Sequence, residues 1–185
     1  MSSKRPPTAE APKPPTTLHP TTTISPLAVL TGTHPVTLGE NTILHPYSIT
    51  TSTTGPITLG RNCTLAEMSV ISASSSNPTT IGDNVTIGPA THITGANIGE
   101  GSVIEGRVTI AEGAVLGKFC KITAGEVVHP GEVLPDFTVV YGDGKRKVNR
   151  TMEGSVEVRE ARRKGVEGEC ALARRLIPNA AAKWG

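Results

Sequence analysis

Aromatic side chains are nearly missing from this sequence: two Phe, two Tyr and one Trp make up 3% of its 185 residues. An ordinary globular core uses more aromatic bulk, so any core here is built from smaller side chains. Cysteine is scarce as well. Cys63, Cys120 and Cys170 are odd in number and lack CxxC spacing, which argues against a disulfide framework and suits a reducing compartment, the cytoplasm being the natural expectation. No stretch approaches the roughly 18 apolar residues of a membrane span, so direct membrane insertion is not expected. The N-terminal residues carry prolines and charges where a signal peptide would need a hydrophobic run, and the chain is therefore expected to be soluble. Neither sign of charge dominates: 18 basic and 16 acidic residues leave a net +2, which gives no support to nucleic-acid binding.

What the sequence does have is Gly (20) and Pro (15), a mix suited to many turns, in a chain long enough for one folded unit. From residue 1 to 22 Pro, Thr and Ala dominate, and that stretch is expected to be a disordered tail. Beyond it the chain repeats every six residues. Ile98, Ile104, Ile110, Leu116, Ile122, Val128, Leu134 and Val140 follow one another without a gap, and all are aliphatic. Ile, Leu and Val are about a fifth of the chain, so chance would give such a run on the order of a few times in a million.

Upstream the frame continues through Ile81, Ile87 and Ile93, through Leu59, Leu65 and Ile71, through Leu38, Leu44 and Thr50, and back to Ile24 and Leu30. Only Thr50 breaks the aliphatic pattern. Three places after an aliphatic residue stand Asn41, Asn62, Asn84, Gly101, Gly113, Gly125 and Gly131, residue types that tolerate positive φ. A short strand that turns a tight corner every six residues, with one aliphatic side chain pointing inward, closes a triangular coil after three strands. Stacked coils lie about 4.8 Å apart, pair in parallel and place interior residues eighteen apart in ladders. Ile98, Leu116 and Leu134 form one such ladder, Ile104, Ile122 and Val140 a second, and Ile110 with Val128 a third.

Departures from the six-residue step fall between Leu30 and Leu38, Thr50 and Leu59, Ile71 and Ile81, and Ile93 and Ile98. All four lie at the same corner, so one edge of the prism carries the loops, an edge that in repeat proteins often binds partners. The repeat region is expected over residues 23–148. Residues 149–185 form a C-terminal segment that reads as helical from about Val156, with Val166, Cys170, Ala173 and Ile177 on one face and Pro178 as a stop. Its basic residues (Arg159, Arg162, Arg163, Lys164, Arg174, Arg175) read as a solvated face in preference to a docking patch. Phe119 and Phe137 lie eighteen apart and should stack at one corner, where they could seat the C-terminal helix, the preferred reading, or a partner. The ends of the prism need caps, which the Pro-rich N-terminal segment and YGDGKRKV could supply.

Four of the five histidines precede proline (His19, His34, His45, His129) and read as corner residues; His92 alone has no proline neighbour. Cys63 and Cys120 occupy positions that favour small side chains and read as packing.

The segments ITLGRNCTL, TTIGDNVTIGP and ANIGEGSVIEG are similar to the hexapeptide signature of left-handed parallel β-helices, an all-β fold shared by acyltransferases, γ-class carbonic anhydrases and two dynactin subunits. IGPATHITGANIG resembles the carbonic anhydrase motif I-G-H-x-x-x-x-H-G-C-x-I-G, but Pro89 and Thr94 stand where that family has zinc ligands and Ser72 where its third histidine would fall. Ala66-Glu67 replaces its Gln-Asp pair, and Thr50, Thr51 and Ser52 lie near its Arg-Gly-Asp corner. Neither Pro nor Thr supplies an imidazole nitrogen, so zinc-dependent hydration is not expected, and no metal, cofactor or catalytic residue is assigned. The alternative to a non-enzymatic role is a hexapeptide-repeat acyltransferase, with His129 and His92 as candidate bases, or a γ-carbonic-anhydrase-like enzyme.

Over the chain from Ile24 onward, HPVTLGENTILHP, VLPDFTVVYGDGKRKV and LARRLIPN resemble the dynactin subunit 6 family of pointed-end β-helix proteins. That resemblance implies a non-enzymatic, cytoskeleton-associated subunit supporting dynein-based microtubule transport and cargo attachment. It implies dynactin subunit 5, the pointed-end actin-related protein and dynactin subunit 4 as neighbours.

Overall fold

The computed structural model describes residues 11–184. The chain winds as a left-handed parallel β-helix whose short strands fall into three sheets, one per side of a triangular prism. The first sheet has seven strands from Thr16–Leu18 to Val133–Leu134. The second runs from Thr23–Ile24 to Thr138–Tyr141 and adds Lys145–Val148 as an eighth, antiparallel strand. The third has six, from Val29–Gly32 to Val127–Val128, and so defines six complete coils.

Register follows the repeat. Ile98 pairs with Leu116 and Leu116 with Leu134; Ile104 pairs with Ile122 and Ile122 with Val140; Ile110 pairs with Val128. From Ile24 to Val140 every inward residue of the ladders, including Thr50, is at most 3% exposed. The narrow interior explains the aromatic poverty, because three facing aliphatic side chains fill each coil and leave no room for a ring. Cys63, Val85, Ser102 and Cys120 form a smaller interior column beside the corners.

All seven Asn and Gly corner residues of the repeat have positive φ. So do Tyr47, Met68, Ala90, Arg107, Phe119 and Phe137, which the repeat places at equivalent corners without the residue type that would announce it. Asn41, Asn62 and Asn84 stack so that each Nδ2 donates to the next Oδ1 at 3.1 Å. Gly101 continues that column, and a Cβ there would run into the Phe119 ring. Every irregular step joins the third sheet to the first, so the loops do share one edge.

The expected tail over 1–22 is corrected by the structure. Residues 1–10 lie outside the described residues, but Thr16–Leu18 pairs in parallel with Val36–Leu38. Leu18 stands six residues before Ile24, so the repeat begins one strand earlier than its first unmistakable members, and Pro-rich composition masked it. Pro12 and Pro15 lack a donor but use their carbonyls, accepting from Gly32 and Val36 at 2.9 Å each.

After the last coil, Gly142, Asp143 and Gly144 turn the chain with positive φ into the antiparallel strand that covers the end of the second sheet. Glu126 occupies an interior column position at 8% exposure, and its carboxylate accepts the backbone N–H groups of Asp143 (3.1 Å) and Gly144 (2.9 Å). Those charge-assisted bonds offset the desolvation of the carboxylate.

Two helices follow, α1 (Arg150–Gly154) and α2 (Val156–Leu176). Asn149 and Ser155 cap them, accepting from Met152 and Val158. At 1.5 Å per residue α2 is roughly 31 Å long, close to the roughly 30 Å that six coils occupy, so it runs the length of the prism. Val166 and Cys170 are buried against Ile43, with Ala173 and Ile177 alongside, the face expected from their spacing.

The arginines are a second correction. Arg159 lies over the Phe137 ring at 5.7 Å and Arg163 over Phe119 at 5.2 Å, while the two rings stack with centroids 6.1 Å apart. Arg163 also reaches Glu100 (3.3 Å), Arg162 donates to Thr86 (3.3 Å) and Arg174 to Asn41 (2.7 Å). Four of the six basic residues therefore help hold α2 on the prism, three of them half-buried and Arg174 still exposed, because the prism offers rings, hydroxyl and amide oxygens and a carboxylate to cations. Beyond Ile177 the chain closes the N-terminal end: the Asn179 amide accepts from Ile24 N–H and donates to Thr22 C=O, both at 3.0 Å. Ala181 and Trp184 pack on the core, and the Thr16 hydroxyl donates to Trp184 C=O.

Candidate functional site

Ser72 and Thr94 sit opposite one another in the third sheet, near the looped edge, and their hydroxyl oxygens are 3.1 Å apart. Thr31 and Thr51 continue the same outward line, so the position is one rung of a hydroxyl ladder. Pro89 is not brought to them. It stands at the corner between the second and third sheets, where its carbonyl accepts from Arg107 N–H at 2.8 Å. Hydroxyls that satisfy one another and a proline, whose nitrogen is an amide, offer no imidazole nitrogen or thiolate to a borderline cation such as zinc. Among the described residues no group of three or more His, Cys, Asp or Glu is placed to hold a metal ion.

The histidines are dispersed. His92 is exposed on the third sheet between Val70 and Thr109. His129 lines a cleft of about 510 Å³ at the C-terminal end, with Thr123, Glu126, Asp143 and Gly144 among its other walls. His34 Nδ1 lies 3.1 Å from Ser52 C=O, and His45 Nδ1 lies 2.9 Å from Glu67 Oε1. For Glu67 partial burial acts upward, but its own backbone N–H and His45 outweigh it and hold the carboxyl below the usual range. This pair had no signal in the sequence, since the partners are 22 apart and meet only through stacking of successive coils. Burial pushes the Cys63 thiol up to about 12 and Cys120 up to about 11, so neither is a thiolate nucleophile at neutral pH.

The sides of the prism differ in what they offer. The second sheet is covered by α2. The first points Thr17, Thr37, Thr58, Thr80, Asn97, Val115 and Val133 outward, and the third Val29, Ile49, Val70, His92, Thr109 and Val127. Neither outward column contains a Lys, Arg, Asp or Glu. Flat, preorganised faces of this kind supply binding area without ordering cost, and charge is what interface centres ordinarily lack.

Fold and surface together define a hexapeptide-repeat β-helix, and known proteins agree on that class: the family described as the hexapeptide repeat of succinyl-transferase matches residues 78–112. Among curated proteins, the chain is similar to dynactin subunit 6 of Xenopus tropicalis, 30% identical over 120 residues covering 58% of this chain and 59% of that one. Dynactin subunit 6 of Danio rerio is 27% identical over 119 residues, covering 58% and 61%. The chain thus spans about three fifths of the length of these relatives. Among solved structures, a hexapeptide transferase family protein of Anaplasma phagocytophilum superposes with a TM-score of 0.76 at 18% identity, covering 90% of this chain and 98% of that one. A candidate acetyltransferase of Bacillus cereus gives 0.71 at 19% identity, covering 88% and 98%. At such identities the two structures establish the fold alone.

Proposed function

We propose that this chain is a non-catalytic structural subunit of the dynactin pointed-end complex, acting in dynein-based transport along microtubules and in cargo attachment. The observation that carries the reading is the similarity to two proteins named dynactin subunit 6. It is supported by a geometry suited to assembly: a prism with two sides whose central outward columns carry no Lys, Arg, Asp or Glu, both ends closed by its own chain, and Ser72, Thr94 and Pro89 at the positions where the carbonic anhydrase resemblance would put imidazoles. The neighbours expected on this reading are dynactin subunit 5, the pointed-end actin-related protein and dynactin subunit 4. The setting is the cytoplasm and its cytoskeleton.

Purification of the tagged chain from its native cells under gentle conditions tests the reading. Stoichiometric recovery of dynactin subunits is expected. Recovery as a homotrimer that contains zinc or turns over an acyl donor would overturn it. Acyl transfer is the second reading, favoured specifically by the cleft at His129. Turnover of acetyl-coenzyme A that disappears in His129→Ala would establish it.

A further inference from the structure

The C-terminal half of α2 carries two apolar stripes, and only one of them is used. Val166, Cys170, Ala173 and Ile177 face the prism, whereas Leu172 and Leu176, one helical turn apart, are 59% and 71% exposed. Exposed leucines in pairs at helical spacing have no role in holding α2 down. They form one wall of a groove of about 380 Å³ whose other wall is the corner between the second and third sheets, with His45, Pro46 and Glu67. Glu169 lies on the helix side of the same groove, one turn before Leu172 and Ala173.

The corner continues the apolar surface away from the groove. Tyr47 and Met68, next in sequence to Pro46 and Glu67, are 59% and 60% exposed. Both have positive φ, a conformation that costs a residue with a Cβ and that the neighbouring corner gives to Asn and Gly. Bulky apolar side chains are thus held outward at strained positions beside an open apolar groove. The ionic groups point the same way. Among the described residues that line the groove, Glu67 and Glu169 are the carboxylates and there is no Lys or Arg; burial acts upward on Glu67, but its own N–H and His45 hold the carboxyl below the usual range.

We infer that this groove is a docking site for a basic amphipathic helix of a partner protein. The partner lies alongside α2 with its large apolar side chains between Leu172, Leu176 and Pro46, and its lysines or arginines meet Glu67 and Glu169. Shape favours a helix because one wall is itself a helix offering an i, i+4 pair, the spacing at which a second helix interdigitates. Charge fixes the sign of the partner.

Fluorescence anisotropy of labelled model helices made of leucine and lysine, or of leucine and glutamate at the same positions, tests the inference on the full chain. The leucine–lysine helix is expected to bind and the leucine–glutamate helix to bind at least tenfold more weakly. Leu172→Ser with Leu176→Ser should cost the first peptide at least tenfold, and Glu67→Lys with Glu169→Lys should reverse the preference. Val156→Ser, an exposed apolar position at the opposite end of α2, should change nothing. Unchanged melting temperatures verify that the variants fold, as their exposure predicts. Equal affinity of wild type and the serine double variant, no binding to wild type, or indifference to the charge swap would overturn the inference. So would self-association abolished by the serine pair, since the groove would then belong to a second copy of this chain.

Discussion

Thr50 is the one polar residue in an otherwise aliphatic interior ladder, and replacing it by valine should stabilise the protein. It is 1% exposed, lies in register between Leu30 and Ile71, and its hydroxyl has no hydrogen-bond partner. Valine has the same branched shape and the same preference for strand geometry, so the substitution exchanges an unmet hydroxyl for a methyl group with little repacking. A buried unsatisfied hydroxyl costs about 1–3 kcal/mol, and the central value of about 2 kcal/mol is the expected gain. For a chain of this size that corresponds to a rise of roughly 4–8 °C in melting temperature. Thermal and urea unfolding followed by circular dichroism would read it, with Thr50→Ser as the control that keeps the hydroxyl, loses the methyl and should lose about 1 kcal/mol. Thr50→Val melting at or below wild type would refute the reasoning, because it would mean that the hydroxyl is satisfied or that the ladder is not dry.

Gly101→Ala places a Cβ at a residue with φ of +70° and against the Phe119 ring, so it should cost about 1–3 kcal/mol in urea unfolding. Asn179→Ala removes both side-chain bonds that tie the C-terminal segment to Thr22 and Ile24 and should cost about 1–3 kcal/mol, with hydrogen exchange accelerated at Ile24. For Glu132 burial acts upward but is outweighed by the His129 N–H and by Arg146 (2.7 Å), leaving the carboxyl below its ordinary value of 4.5. Its stabilising contribution is therefore complete above about pH 4.5 and lost as pH falls through the lower folded value. Unfolding midpoints of Glu132→Gln and wild type should differ near neutrality and converge in acid. Native Cys63 should resist iodoacetamide at pH 8 and react only on unfolding, since burial raises its thiol to about 12.

Most of the fold was legible because a six-residue period ties each residue to an environment: aliphatic inward, Asn or Gly at a corner, loops at one edge. The strand Thr16–Leu18 was hidden for a compositional reason, since prolines around it read as tail although Leu18 keeps the period. Glu126 could not be foreseen, because its partners lie in a turn 17 and 18 residues later that satisfies it only once the last coil closes. The arginines of α2 misled because a charged helix face reads as solvated unless the rings and amides it meets are known. For the candidate site, sequence located Ser72, Thr94 and Pro89; geometry added that the first two share a rung while Pro89 belongs to another corner. The groove beside Leu172 and Leu176 is tertiary, built by a helix and a corner more than a hundred residues apart.

Cryo-electron microscopy of dynactin isolated from the cells that make this chain decides whether it is a pointed-end subunit. The expected density is a triangular prism of six coils at the pointed end, with its own helix along one side and both remaining flat sides available to neighbours. Dynactin particles complete without this chain, or the chain found only as a free homotrimer with a ligand between its protomers, would contradict it.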